Sequence, residues 1–167
     1  MDVIIDGEMV TRSTVQWLQF LPYRDWLRST REYSLAVAAF TEKLILYPDE
    51  AAFDRGPQIG SLRLSVSSFL PFGMFEAAGL GVLGAMPRPA QSGGHVRRAA
   101  RVSMSGRISE ATRRQNTQGT AFWHLRVDSV PGQVDVVAPL EAVGDRSPRG
   151  SIALLDAWLV ARPAELP

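Results

Sequence analysis

The chain of 167 residues contains no cysteine, which excludes disulfides and thiolate metal sites. Its only imidazoles are His95 and His124, so a zinc site would have to lean on carboxylates, a poor donor set for that ion. No Gly-x-Ser-x-Gly, no His-Glu-x-x-His and no phosphate loop occurs, and neither histidine has a carboxylate beside it in sequence. The expectation is a non-enzymatic protein with no catalytic residue, no metal and no cofactor. A long apolar run is also lacking. The longest stretch, 69–86, is broken by Pro71, Glu76 and four glycines, whereas a membrane helix needs about 20 mostly apolar residues. The opening "MDVIIDGEM" is acidic and too short in apolar length for a secretory signal, so cytoplasmic residence with no membrane partner is expected. Strong overall charge is absent as well: the formal net charge is +1.

What the chain does contain is a phrase written twice. "DRGPQIGSLRL" begins at Asp54 and "DRSPRGSIALL" at Asp145. Aligning 33–70 with 123–160, with two single-residue gaps, gives eleven identities, among them Leu35/Leu125, Val37/Val127, Pro48/Pro139, Asp54/Asp145, Arg55/Arg146 and Gly60/Gly150. The front ends match too: Val3, Ile5, Gly7 and Met9 pair with Val102, Met104, Gly106 and Ile108. Both sets fall at every second position, the period that places side chains on one face of a strand. An internal duplication is the expectation.

Each copy then reads alike. A first strand (2–10; 102–110) is followed by a second (33–40; 122–130), a tight turn ("TEK"; "PGQ") and a short third strand (43–47; 134–138). Pro-x-Glu-Ala opens a brief helix, since proline suits a first helical turn, and Gly-Ser opens a long final strand (61–69; 151–161). The Asp-Arg-x-Pro pair reads as turn chemistry after that helix, with the arginine in solvent or bridging to Glu50 or Glu141.

Strand, strand, strand, short helix, strand, with a glycine in the first strand, resembles the oligonucleotide/oligosaccharide-binding (OB) barrel up to its fourth strand. The resemblance is best over 101–162. It implies an all-β protein of two related OB-like small barrels, each with one short helix; a single pseudo-symmetric eight-stranded sandwich is the alternative. A fifth strand is wanting after Arg162. Either the final strand serves twice, or the copies complete one another, with 79–86 as a strand that copy one keeps or lends. The domain layout expected is 1–85 as the first repeat with an aromatic insertion at 11–32, 86–100 as a Pro/Gly/Ser linker, and 101–167 as the second repeat.

Gly79, Gly81 and Gly84 match the dinucleotide fingerprint in spacing, but Pro87 and Pro89 follow where that motif needs a helix, so tight apolar packing is expected. The insertion carries Trp17, Phe20, Tyr23 and Trp26. It reads as a cover for an open barrel end or as an aromatic anchor for another protein.

Charge separates the copies. Residues 1–90 hold eight basic and ten acidic side chains (net −2), and residues 91–167 hold ten and seven (net +3). Six arginines, including Arg107, Arg113 and Arg114, stand within 95–115 against the single acid Glu110. In the second strand of copy two, Trp123, Leu125 and Val127 take the core phase. Phe122, His124 and Arg126 are left facing out, where copy one offers Glu32, Ser34 and Ala36. A stacking plane beside guanidinium charge is what a single strand of nucleic acid requires. The functional expectation is a binding module for single-stranded nucleic acid or another polyanion, through Arg107, Arg113, Arg114, Phe122, His124 and Arg126. A protein–protein adaptor using the insertion is the alternative.

Overall fold

The computed structural model describes residues 2–5, 8–12, 16–17, 35–59, 63–71 and 100–164. The protein is all-β. In chain order the strands are β1 (Asp2–Ile5), β2 (Glu8–Arg12), β3 (Gln16–Trp17), β4 (Leu35–Tyr47), β5 (Ser68–Pro71), β6 (Arg101–Gln115), β7 (Ala121–Ser129), β8 (Gly132–Pro139) and β9 (Ile152–Pro163). Two short helices, α1 (Glu50–Arg55) and α2 (Leu140–Val143), interrupt them.

Five strands close a barrel. β6 pairs antiparallel with β7, and β7 with β8. β8 runs parallel to β4, β4 antiparallel to β9, and β9 returns antiparallel to β6. Closure removes free sheet edges along the staves. Two short strands extend the wall: β5 continues along β6 where β7 has ended, and β3 continues along β9 beyond its pairing with Arg101.

Alternating hydropathy sets which way each stave faces. Along β7, Trp123, Leu125 and Val127 are buried and their neighbours are not; along β8, Val134, Val136 and Ala138 behave likewise. With Val102, Met104, Ile108, Ala39, Leu155 and Leu159 they fill the lumen. Burying each large aliphatic of this set is worth about 1.5–3 kcal/mol. α2 lies at one end, with Leu140 and Val143 against this core and the indole of Trp123 donating to the Gly144 carbonyl at 3.1 Å.

The first half of the chain departs from the expected plan in three places. The strand anticipated over 2–10 is an antiparallel pair, β1 with β2, in which Ile5 faces Glu8. No turn occurs at "TEK": β4 runs straight through, opposite β9 from Leu35↔Pro163 to Tyr47↔Ile152, and a register shift between Thr41 and Lys43 absorbs Glu42 as a bulge. Thr-Glu-Lys lacks turn-forming residues, whereas the corresponding β7–β8 turn has Pro131 and a positive-φ Gly132 (102°). The long strand expected over 61–69 begins only at Ser68.

These departures supply the missing stave. β4, from the first half of the chain, stands between β8 and β9 of the second half and closes the ring. The stretch 79–86, expected to lend the fifth strand, lies outside the described residues, as do the 86–100 linker up to residue 99 and most of the 11–32 insertion.

A second cluster covers the outside of one end of the barrel. Phe53 of α1 is fully buried among Tyr47, Leu64, Ile152 and Leu154, and it meets the Tyr47 ring edge-on at 5.3 Å. Asp49 caps α1 by accepting from the Ala52 amide at 2.7 Å. α1 and the chain after it thus screen that end of the outer wall.

Candidate functional site

Directly opposed residues on neighbouring strands share a face of the sheet, so the register assembles the outer wall row by row. Around Phe122 stand Arg114 of β6 and Pro139 of β8; around His124, Thr112 and Val137; around Arg126, Glu110 and Asp135. The expected outward set Phe122, His124 and Arg126 is therefore brought together on β7, at successive alternate positions and half-buried. The parallel pairing of β8 with β4 continues two of these rows: Phe40 lies opposite Val137, and Ala38 opposite Asp135. Across β4, Phe40 faces Trp158, and Ala38 faces Val160.

The cations of this wall differ in what already engages them. Arg126 donates to Glu110 at 3.1 Å, and its Nε lies 3.8 Å from Asp135. His124 Nε2 is 3.1 Å from the same Asp135 oxygen. Two carboxylates thus neutralise much of the charge that the outward phase of β7 provides. Arg107 is separated from the group. It sits lower on β6, bridges to Glu50 of α1 at 2.9 Å and donates to the Gly150 carbonyl at 3.1 Å. Glu50, one of the partners open to the arginine of the Asp-Arg pair, holds Arg107.

Arg113 and Arg114 have no ion pair or side-chain hydrogen bond among the described residues. They stand where β6 has outrun β9 and pairs with β7 alone, opposite Trp123 and Phe122 respectively. The hairpin beyond them is held open by Asn116, whose side-chain oxygen accepts from the amides of Gln118 (3.0 Å) and Thr120 (2.8 Å). Gln115 donates across it to the Gly119 carbonyl at 2.6 Å. Two exposed guanidinium groups are thus mounted on a braced hairpin, one on each face of the ribbon, with an aromatic ring directly across from Arg114.

Two aromatics of this wall lie outside the set that the sequence picked out. Phe40 and Trp158 are 44% and 38% exposed, opposed in register, on a barrel whose other large apolar side chains are mostly buried. Trp158 is fixed at its edge: its indole donates to Glu42 at 2.6 Å, and Arg101, itself paired with Glu42, lies 5.5 Å from the ring centroid. The signal was present in the phase of β4 and β9, where Ala39 and Leu159 are buried and Phe40 and Trp158 alternate with them. Reading "TEK" as a turn hid it.

Among the described residues, no three His, Asp or Glu side chains gather as metal ligands would, and no helix is long and apolar enough to cross a membrane. No family model, curated protein or solved structure matches the chain.

Proposed function

We propose that this protein is a non-enzymatic binding module that takes single-stranded nucleic acid on the outer wall of β6, β7 and β8. The observation that carries the reading is the pair Arg113 and Arg114, free of acidic partners among the described residues, with Arg114 across from Phe122 on the outer face and Arg113 on the other face of the same exposed ribbon. A single strand is held by phosphate contacts that release counterions and by bases stacked on aromatic faces, and this corner offers both. Of the six residues singled out from sequence, the reading now rests on Arg113, Arg114, Phe122 and His124. Arg126 orders the surface through Glu110 and Asp135, and Arg107 ties α1 to the barrel.

The closed five-stranded barrel is compatible with an OB-like barrel, and we read it as one whose last stave precedes its first in the chain. In support, β6, β7, β8, α2 and β9 follow one another in the order strand, strand, strand, helix, strand. We also retain internal duplication as the origin of the two halves, since α1 and α2 both follow directly on a strand at matching prolines, Pro48 and Pro139. Cytoplasmic residence belongs to the same proposal. No described residue favours the adaptor reading over this one.

The test is a titration of labelled single-stranded oligonucleotides of about 12 nucleotides at low and moderate salt. Binding that weakens steeply between about 50 and about 200 mM salt is expected. Replacing Arg113 and Arg114 together by alanine should lower the slope of log affinity against log salt by about 1.4, at about 0.7 per phosphate contact on a single strand. Absence of binding at low salt would end the proposal.

A further inference from the structure

Beside Phe40 the outer wall sinks into a hollow of about 160 Å³, lined by Ala36, Ala38, Phe40, Asp135, Val160 and Arg162 among others. Its floor follows from the register. Ala38 and Val160 face each other on β4 and β9 with Asp135 opposite Ala38 on β8, while the next row pairs Ala36 with Arg162. Small side chains on the floor and a large ring at one end produce the depression. The volume falls below the 300–1,000 Å³ of sites for drug-sized ligands and suits one planar ring system.

The hollow lies on the same wall as the strand-binding corner. Phe40 is two strands from His124, about 10 Å at the usual strand spacing, and Val137 lies between them on the same row. Its surroundings are set in advance. Phe40 stands opposite Trp158 in register, and Glu42 and Arg101 hold that indole. At the other side, His124 and Arg126 both address Asp135 through Oδ1, and Oδ2 has no hydrogen-bond partner among the described residues.

We infer that this hollow seats one base of the bound strand, packed against Phe40 with its edge toward Asp135, and selects bases carrying an exocyclic amino group. The inference rests on the single-strand reading above. A carboxylate only accepts hydrogen bonds, so it accepts from the amino group of cytosine, adenine or guanine. Thymine and uracil present one ring N–H flanked by two carbonyl oxygens, which a carboxylate repels. The Trp158–Glu42–Arg101 cluster is already ordered next to that platform, so no entropy is lost in fixing it when a base arrives.

The experiment compares oligo-dC and oligo-dT of equal length on the full chain, with three variants. Wild type should bind dC about 5-fold or more tightly than dT, a hydrogen bond to a charged group supplying the difference. Asp135→Asn should erase that preference, because an amide donates as well as accepts. Phe40→Ala should weaken both oligonucleotides by about 5- to 150-fold, the range for losing one stacked base, with the salt slope unchanged. Phe40→Leu, which keeps apolar bulk without a ring, should show a smaller loss and the wild-type melting temperature. Equal affinity for dC and dT, or wild-type affinity in both Phe40 variants, overturns the inference. If binding still depends on Arg113 and Arg114 in that case, the strand-binding reading stands without it. If wild type binds neither oligonucleotide at low salt, both fall together.

Discussion

Replacing Gly106 by alanine should be the most damaging single-methyl change in the barrel. Gly106 lies on β6 at the changeover between partners, opposite Ala153 of β9 on one side and next to the Arg107–Asp128 pair with β7 on the other. A β-carbon there would stand 2.2 Å from the Asp128 carbonyl oxygen, 2.9 Å from its carbon and 2.7 Å from a Val127 methyl. Comfortable non-bonded contact between carbon atoms begins near about 3.5 Å, so β6 and β7 must separate by about 1 Å where they begin to pair. Forced overpacking costs about 1–3 kcal/mol, and two weakened ladder hydrogen bonds add about 1 kcal/mol each. Alanine's smaller loss of backbone entropy returns only about 0.5–1 kcal/mol, which leaves a destabilisation of about 3 kcal/mol. In urea unfolding with a slope of about 2 kcal/mol per M, the midpoint should drop by about 1.5 M with the slope unchanged. Because two of the three close atoms are backbone, trimming Val127 to alanine in the same chain should not restore stability. A Gly106→Ala protein within about 0.5 kcal/mol of wild type, the range of an ordinary surface change, would refute this account of how β6 passes from β9 to β7.

Three other outcomes follow from the packing. Burial raises the Tyr47 phenol above its ordinary 10.0, so the unfolded chain ionises first; the stability this group contributes is whole below about pH 10 and lost as pH rises through the folded value. Tyr47→Phe should flatten the alkaline fall in denaturation midpoint and cost about 1 kcal/mol at neutral pH, from the lost bond to the Pro57 carbonyl. Arg107→Ala breaks an exposed pair with Glu50 and an exposed hydrogen bond to the Gly150 carbonyl, so chemical denaturation should register a loss of about 1 kcal/mol; a drop in oligonucleotide affinity matching that of Arg113→Ala would contradict its assignment to α1. Residues 100–167 produced alone lack β4 and should show no cooperative melt by circular dichroism, and a synthetic 35–47 peptide should restore one.

The second half of the chain was legible chiefly through β7 and β8, whose burial alternates with the two-residue period. Trp123, Leu125 and Val127 alternate with Phe122, His124 and Arg126 in sequence, and the barrel places them inside and outside accordingly. The β7–β8 turn announced itself through Pro131 and Gly132. In the first half, likeness to the second was a stronger signal than local chemistry, and it misled: "TEK" carries no turn residue, and a bulge at Glu42 lets thirteen residues run on as one strand. Partner choice was beyond reach for a physical reason. Strand order depends on which edges are left open after local hairpins form, and β4 has no hairpin partner of its own among the described residues. The charges fared similarly. Arginine content located the basic segment, but whether a guanidinium is free depends on acids brought from elsewhere, as Glu50 reaches Arg107 from 57 positions away.

The origin of β4 also bears on how the proposed binding wall is made. Phe122, His124 and Arg114 come from one local hairpin, which can form from contacts close in sequence. Phe40, Glu42 and the floor alanines Ala36 and Ala38 come from a strand that ends at Tyr47, well upstream of the hairpin's start at Arg101, and they reach it only when β4 docks between β8 and β9. The same docking buries Ala39 completely in the lumen and sets Phe40 on the outer face one residue later. Barrel closure and completion of the hollow are therefore one event. On the proposed reading, a change that loosens β4 should weaken base selection and global stability together, whereas a change at Arg113 or Arg114 should touch the affinity for phosphate and leave the fold's stability as it was.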